Sequence, residues 1–213
     1  MSDTFSAGVL RSATVGAAAA VTLVFSAVGA PPADAESTFN PEVAAVYART
    51  HALDTPTYGA DCTYFVSQAL YVGGLDETAR WNFHSTDPNN RGGNRHLDTD
   101  SWPTATATVA DRLKNYLVSE IKIATIHELD WRVNEVPRAE LGDIVAYDWN
   151  NGADGIIDHL SMVTGFSETN TQYPLVSQHT PEQRDRGWTW SETSETWIEH
   201  ASPGARVYLI HFK

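Results

Sequence analysis

Cys62 is the only cysteine in the chain, in the run Tyr58-Gly59-Ala60-Asp61-Cys62-Thr63-Tyr64-Phe65-Val66-Ser67-Gln68-Ala69-Leu70. A lone cysteine cannot close an internal disulfide. It is an intermolecular bridge, a small buried residue or a reactive thiol. Apolar positions 62, 65, 66, 69 and 70 follow the i, i+3, i+4, i+7, i+8 rule, which predicts a helix starting at Asp61 or Cys62 and ended by Gly73-Gly74. A cysteine in the first turn faces unpaired N–H groups and the positive end of the helix dipole. Both favour the thiolate, the nucleophilic form. The Cys62 backbone N–H also lies where a tetrahedral oxyanion would form. Helix position by itself leaves the core-residue and nucleophile readings evenly open.

A nucleophilic thiol needs a base, and the base needs an orienting partner. His159 stands 159 − 62 = 97 residues on, opening the strand-like run Asp158-His159-Leu160-Ser161-Met162-Val163-Thr164. Alone, such a histidine reads more naturally as a structural residue. His179 ends the next such run, Val176-Ser177-Gln178-His179-Thr180. If the two strands are antiparallel neighbours, their ends meet, and His179 or Gln178 could hydrogen-bond the His159 imidazole.

Other elements must position these groups. Asn40-Pro41-Glu42 opens a helix with a side-chain cap, a first-position proline and a first-turn acid. That helix fades near Leu53, before the turn Asp54 to Gly59. Asp76 to Ser101, polar and rich in Asn, Gly and Asp, predicts a long surface excursion. A third helix is expected over Thr106 to Val118, with Val109, Leu113, Tyr116 and Leu117 inward. Asp143–Trp149, His159–Phe166, Tyr173–His179 and Ala205–Phe212 read as strands. Helices first and strands afterwards predict an α+β domain with the N-terminal helices packed on an antiparallel sheet.

Residues 1–35 read as a secretory signal peptide: Arg11, an uncharged run from Val15 to Ala30, Pro31-Pro32, then Ala33-Asp34-Ala35 as a cleavage site. The run falls short of the roughly 20 strongly apolar residues of a membrane anchor. The mature chain is expected to be extracellular, to begin near Glu36 and to form one domain over 36–213. No internal repeat is seen in it, and no separate wall-binding module is expected. It is expected to be monomeric and off the membrane once the signal is removed. The net charge is −13, and Asp3, Asp34 and Arg11 leave about −12 for 36–213. That balance argues against nucleic acid and anionic membranes as partners, and fits awkwardly with a polyanionic cell wall.

Asp-Cys-Thr-x-Phe-Val-Ser-Gln-Ala-Leu-Tyr-x-Gly-Gly at 61–74 resembles the nucleophile motif of the bacterial "putative amidase domain" family. That family is related to the CHAP and NlpC/P60 cysteine peptidases, which share a papain-like fold. Ser101-Trp102, Gly142-Asp143-Ile144-Val145-x-Tyr147-Asp148, Asp154-Gly155-x-x-Asp158-His159 and Gln178-His179-Thr180 continue the resemblance in order, over most of 40–212. It implies a papain-like domain of the NlpC/P60 type, with Cys62 as nucleophile and His159 as general base. The third polar residue falls on the strand after the histidine. Ser177 and His179 share one strand face and Gln178 the other. His179, whose ring can both orient and accept, is the expected partner, with Gln178 the alternate. Tyr64 departs from the family's usual Asn and is expected to alter the helix surface beside the cleft.

The resemblance further implies acyl transfer from an amide to Cys62 and hydrolysis of the thioester. The amide would lie in peptidoglycan, at N-acetylmuramoyl-L-alanine or in the stem peptide, or else in a free peptide. A non-catalytic binding protein on the same scaffold and a thiol acyltransferase are the alternatives. No cofactor is expected, calcium aside. Asp148-x-Asn150-x-x-x-Asp154-Gly155-x-x-Asp158 resembles a calcium loop, but it misses the EF-hand spacing and its final Glu, and a tight turn explains it as well. Asp158, His159 and His179 as zinc ligands would leave the cysteine motif unexplained. Trp188, Trp190 and Trp197 could line a cleft or fill a core. Tyr58, four residues before Cys62, is a candidate for contact with the oxyanion or substrate carbonyl.

Overall fold

The computed structural model describes residues 39–93, 100–149, 154–191 and 194–213. The expected signal peptide, 1–35, lies outside the described residues. Asn40 Oδ1 accepts from Val43 N at 3.2 Å and starts α1, Pro41–His51, as the cap-and-proline pattern predicts. The segment that carries Cys62 forms α2, Cys62–Val72. Further on come α3 (Ala105–Thr108), α4 (Ala110–Asn115) and a π-helical turn, Tyr116–Glu120. The strands are β1 (Ala124–Leu129), β2 (Ile144–Asp148), β3 (His159–Phe166), β4 (Pro174–Gln178), β5 (Gln183–Gly187), β6 (Trp190–Ser191), β7 (Thr196–Trp197) and β8 (Arg206–Phe212), with α5 (Ile198–Ala201) before the last. Six strands form one antiparallel sheet in the order β1-β8-β2-β3-β4-β5, and β6 pairs with β7. The architecture is α+β, helices on a six-stranded antiparallel sheet.

Strand alternation sends residues to two cores. Ile144, Ala146, Leu160, Met162 and Ile210 pack with Phe65, Leu70 and Leu113 of the helices. Val145, Tyr147, Val163, Val176, Val207 and Leu209 pack on the other face against Trp131, Trp188 and Ile198. The Gly142-Asp143 motif serves this frame. A side chain at Gly142, φ +87°, would run into the Pro41 carbonyl. The Asp143 carboxylate accepts from Glu140 N, Phe212 N and His211 Nδ1 at 2.8–3.1 Å, tying β2 to β8.

Two expectations need correction. The third helix is broken at Val109, whose φ −117° and ψ 120° are extended. Thr108 Oγ1 donates back to the Thr104 carbonyl at 3.2 Å, and the β-branched run ends the first segment. The extended residue resets the helical phase. Val109 is exposed, while Leu113, Tyr116 and Leu117 are buried as expected. The 76–101 stretch is not simply a surface excursion. Trp81 and Phe83 are buried, and Trp81 Nε1 donates to Ser67 Oγ of α2 at 3.1 Å. No helix among the described residues is long and apolar enough to cross a membrane.

Candidate active site

Asp61 stands at the N-cap of α2, yet its side chain caps nothing on the helix. The carboxylate turns back instead, accepting from Thr57 N at 3.1 Å and Tyr58 N at 3.2 Å. The Asp61 N–H donates to Thr180 Oγ1 at 2.8 Å. The helix begins with Phe65 N donating to the Asp61 carbonyl at 2.9 Å. Among the described residues, no side chain caps the first-turn N–H groups, that of Cys62 included. These are the donors that an oxyanion at Cys62 would need.

The Cys62 side chain, partly exposed, lies 3.7 Å from Thr63 Oγ1 and interacts electrostatically with the His159 imidazole at the start of β3. His159 Nε2 lies 2.9 Å from Gln178 Oε1, and Gln178 Nε2 donates to the Pro181 carbonyl at 3.2 Å. A carbonyl only accepts, so the second bond sets the amide's orientation and turns its oxygen to the ring. Nε2 therefore carries a proton, and Nδ1 is the nitrogen left for the thiol. Burial pushes the Cys62 thiol up. The His159 hydrogen bond and charge, the Leu160 backbone and Thr63 outweigh it and bring the thiol from 9.0 down to about 7. Burial likewise works against a charged His159, but the bonds and charge of Cys62, with Gln178 and Asp158, raise it overall. Each partner favours the other's ionised form.

Register explains why Gln178 holds this position. β2 pairs Tyr147 with His159, and β4 pairs Ser177 with Met162 and Val176 with Val163. His159, Val163, Val176 and Gln178 therefore share one face of the sheet, and His179 takes the other. The expected His159–His179 contact is thus replaced. His179 Nδ1 sits 2.8 Å from Asp61 Oδ2 and Nε2 3.0 Å from the His51 carbonyl, with the ring stacked on Phe65 at 4.1 Å.

The other sequence candidates fall as follows. Tyr58 packs edge-on against Tyr64 at 4.9 Å. Tyr64, expected on the helix surface, is buried between Tyr58 and Phe83. Asp154 Oδ1 accepts from Ile156 N, and Asp158 Oδ2 from Trp149 N, each at 2.9 Å, so both carboxylates close turns. Asp148 is fully buried, and Asn150 lies outside the described residues. No three His, Cys, Asp or Glu side chains converge as metal ligands among the described residues. Of the proposed zinc ligands, His159 and His179 are engaged separately, with Gln178 and Asp61.

A cleft of about 220 Å³ opens beside His159, lined by Tyr147, Trp149, Gln178, Pro181 and Trp190 among others. His159 is its one lining residue, among those described, that can carry charge near neutral pH. Trp149 stacks on Tyr147 at 4.7 Å, and Trp190 meets Trp197 edge-on at 4.9 Å. Trp188 instead fills the core, donating to the Asn134 carbonyl. A larger groove of about 590 Å³, along β1 and Arg138, touches none of the residues around the thiol. Sequence reasoning quoted Asp61 without giving it a role, and it missed Trp149 in the cleft. An acid directly before a helical cysteine was a usable signal for Asp61. Trp149, at the end of a strand, carried none.

The family model described as "Putative amidase domain" matches residues 38–200. A Bacillus subtilis (strain 168) protein, "Uncharacterized protein YhbB", is 29% identical over 155 residues, 72% of this chain. The chain spans 42% of that relative's length. No solved structure matches the chain significantly.

Proposed function

Because the chain belongs to the "Putative amidase domain" family, we propose that it is a secreted, cysteine-dependent amide hydrolase of papain-like fold, acting on an amide of peptidoglycan. One juxtaposition carries this reading: a cysteine at an uncapped helix end, paired with a histidine whose far nitrogen is held by Gln178. The order of helices before strands, with cysteine on the first layer and histidine on the sheet, supports the papain-like assignment. The cleft, aromatic and uncharged apart from His159, suits a sugar ring or a short peptide.

The Cys62 thiolate attacks the amide carbon, and the carbonyl electrons move to oxygen, which the Cys62 backbone N–H receives. His159 Nδ1–H passes its proton to the amide nitrogen. The C–N bond breaks, the amine leaves, and a thioester remains on Cys62. His159, now neutral, takes a proton from water as the water attacks the thioester. Collapse releases the carboxylic acid and restores the thiolate–imidazolium pair. Gln178 holds the ring without titrating, so the base keeps one tautomer through both halves.

The test is to incubate the full chain and its Cys62→Ala and His159→Ala forms with purified peptidoglycan and identify the fragments by mass. Amide-cleaved fragments from the parent alone are expected. Cleavage retained in both variants refutes the reading.

A further inference from the structure

Asp61 and His179 stand outside the chemistry above, yet both are almost wholly buried, at 0% and 4% exposure. The Asp61 carboxylate accepts the two backbone N–H groups of Thr57 and Tyr58 and lies 2.8 Å from His179 Nδ1. The other ring nitrogen faces the His51 carbonyl at 3.0 Å. A carbonyl can only accept, and a carboxylate whose oxygens already take backbone N–H bonds is an acceptor as well. Both ring nitrogens therefore carry protons. We propose that Asp61 and His179 form a buried carboxylate–imidazolium pair that fixes the nucleophile's helix end and cancels the carboxylate's charge one residue from Cys62. Both are positioning residues, and their effect on the thiol rests on the reading of Cys62 as nucleophile.

The contacts explain why a pair is needed. Asp61 opens α2, so the turn from Thr57 to Cys62 is oriented by whatever holds its carboxylate. The imidazolium holds it from the turn just after β4, binds the end of α1 through the His51 carbonyl, and stacks on Phe65 one turn into α2. Three elements meet on one ring. With the carboxylate engaged here, the first-turn N–H groups stay open for substrate. Electrostatically, a bare buried carboxylate beside Cys62 would oppose the thiolate. Charges on adjacent residues in such surroundings move a pKa by about one unit or more. The ionisable groups whose charge reaches the pair are Tyr47 from α1, Tyr58 and Tyr64 beside Asp61, and Glu182 beyond β4. Of these only Glu182 is charged near neutral pH. Burial disfavours a charged His179, but the bonds to Asp61 and the His51 carbonyl raise it overall.

Two measurements test the pair, and neither needs a substrate. In the full chain labelled with ¹⁵N-histidine, the His179 ring is identified by NMR through its contact with Phe65. Both ring nitrogens should be protonated at pH 7.5, and a neutral single tautomer overturns the proposal. Second, the pH midpoint of Cys62 alkylation by iodoacetamide should rise by about one unit or more in His179→Gln. It should return to within about 0.3 units in the doubly neutral Asp61→Asn/His179→Gln chain. A folded His179→Gln chain with an unmoved midpoint also overturns it, since a merely structural role would leave the thiol's titration alone. Should His179→Gln fail to fold, the NMR result decides. Amide cleavage retained by Cys62→Ala would refute the proposed function without touching the NMR outcome.

Discussion

The thiolate–imidazolium pair makes a prediction that separates ionisation from reactivity. A Cys62 thiol at about 7 rather than 9.0 is about half ionised at pH 7, against about 1% for an ordinary thiol, roughly a 50-fold difference. Intrinsic nucleophilicity falls as the pKa falls, with a Brønsted slope of about 0.4–0.5, so two units cost roughly eightfold. The net advantage at pH 7 is only about sixfold. A rate at one pH is thus a poor witness, and the midpoint of the rate–pH curve is the quantity to read. His159→Ala removes the leading group that lowers the thiol and leaves the burial that raises it. Its midpoint should move from about 7 to 9 or above, two units or more. The assay is the initial rate of iodoacetamide modification between pH 5 and 10, with Cys62→Ala as the blank. A parent midpoint near 9, or one unmoved in a folded His159→Ala chain, refutes the coupling of Cys62 to His159.

Gln178→Ala should lower kcat more than it raises KM, and by less than the ~100- to 10,000-fold that a general base supplies, because the base remains without its orienting partner. Gln178→Asn, one methylene shorter, should recover little, and full activity in Gln178→Ala would dismiss the residue. Trp190→Ala should raise KM for peptidoglycan fragments with kcat and the alkylation midpoint unchanged, since Trp190 lines the cleft and does not touch the thiol. An unmoved KM removes the cleft from substrate binding. Trp81→Ala should cost about 3–5 kcal/mol by urea denaturation, because the ring is wholly buried and bonded to Ser67. A loss below about 1 kcal/mol would mean that the 76–93 segment is not anchored there.

Much of the frame was legible in local pattern. The Asn40-Pro41-Glu42 start and the 62, 65, 66, 69, 70 periodicity marked α1 and α2, because capping and amphipathic spacing act within a few residues. The strands expected around β2, β3, β4 and β8 were visible as runs of β-branched and aromatic residues, since each lies inside the sheet with neighbours on both sides. The two edge strands were not. β5 reads Gln-Arg-Asp-Arg-Gly, with no apolar alternation, and its pairing comes from the ladder that β4 offers. β1 alternates weakly for the same reason, as an edge strand needs only one apolar face and benefits from exposed charge. Trp81 and Phe83 were hidden in a polar stretch because two ring anchors set no period.

The site was legible to the same depth. Cys62 and His159 stood out by residue type and by their places at element ends. The choice between Gln178 and His179 turned on a parity that no local pattern carries. That Gln178 and His179 point to opposite faces follows from strand geometry, but which face holds His159 depends on register. The register pairs Ser177 with Met162, and a slip of one residue would exchange the two roles. The arrangement has a chemical logic. Gln178 orients His159 through a neutral oxygen, so the imidazolium's charge is left for the thiolate. A carboxylate in that place would put a negative charge against the imidazolium and raise its pKa further. The chain's buried carboxylate near the thiol is instead on the other face, matched with its own histidine. The last residue of β4 and the one after it thus serve the two halves of the candidate site, Gln178 holding the His159 ring on the sheet and His179 anchoring the helix that carries Cys62.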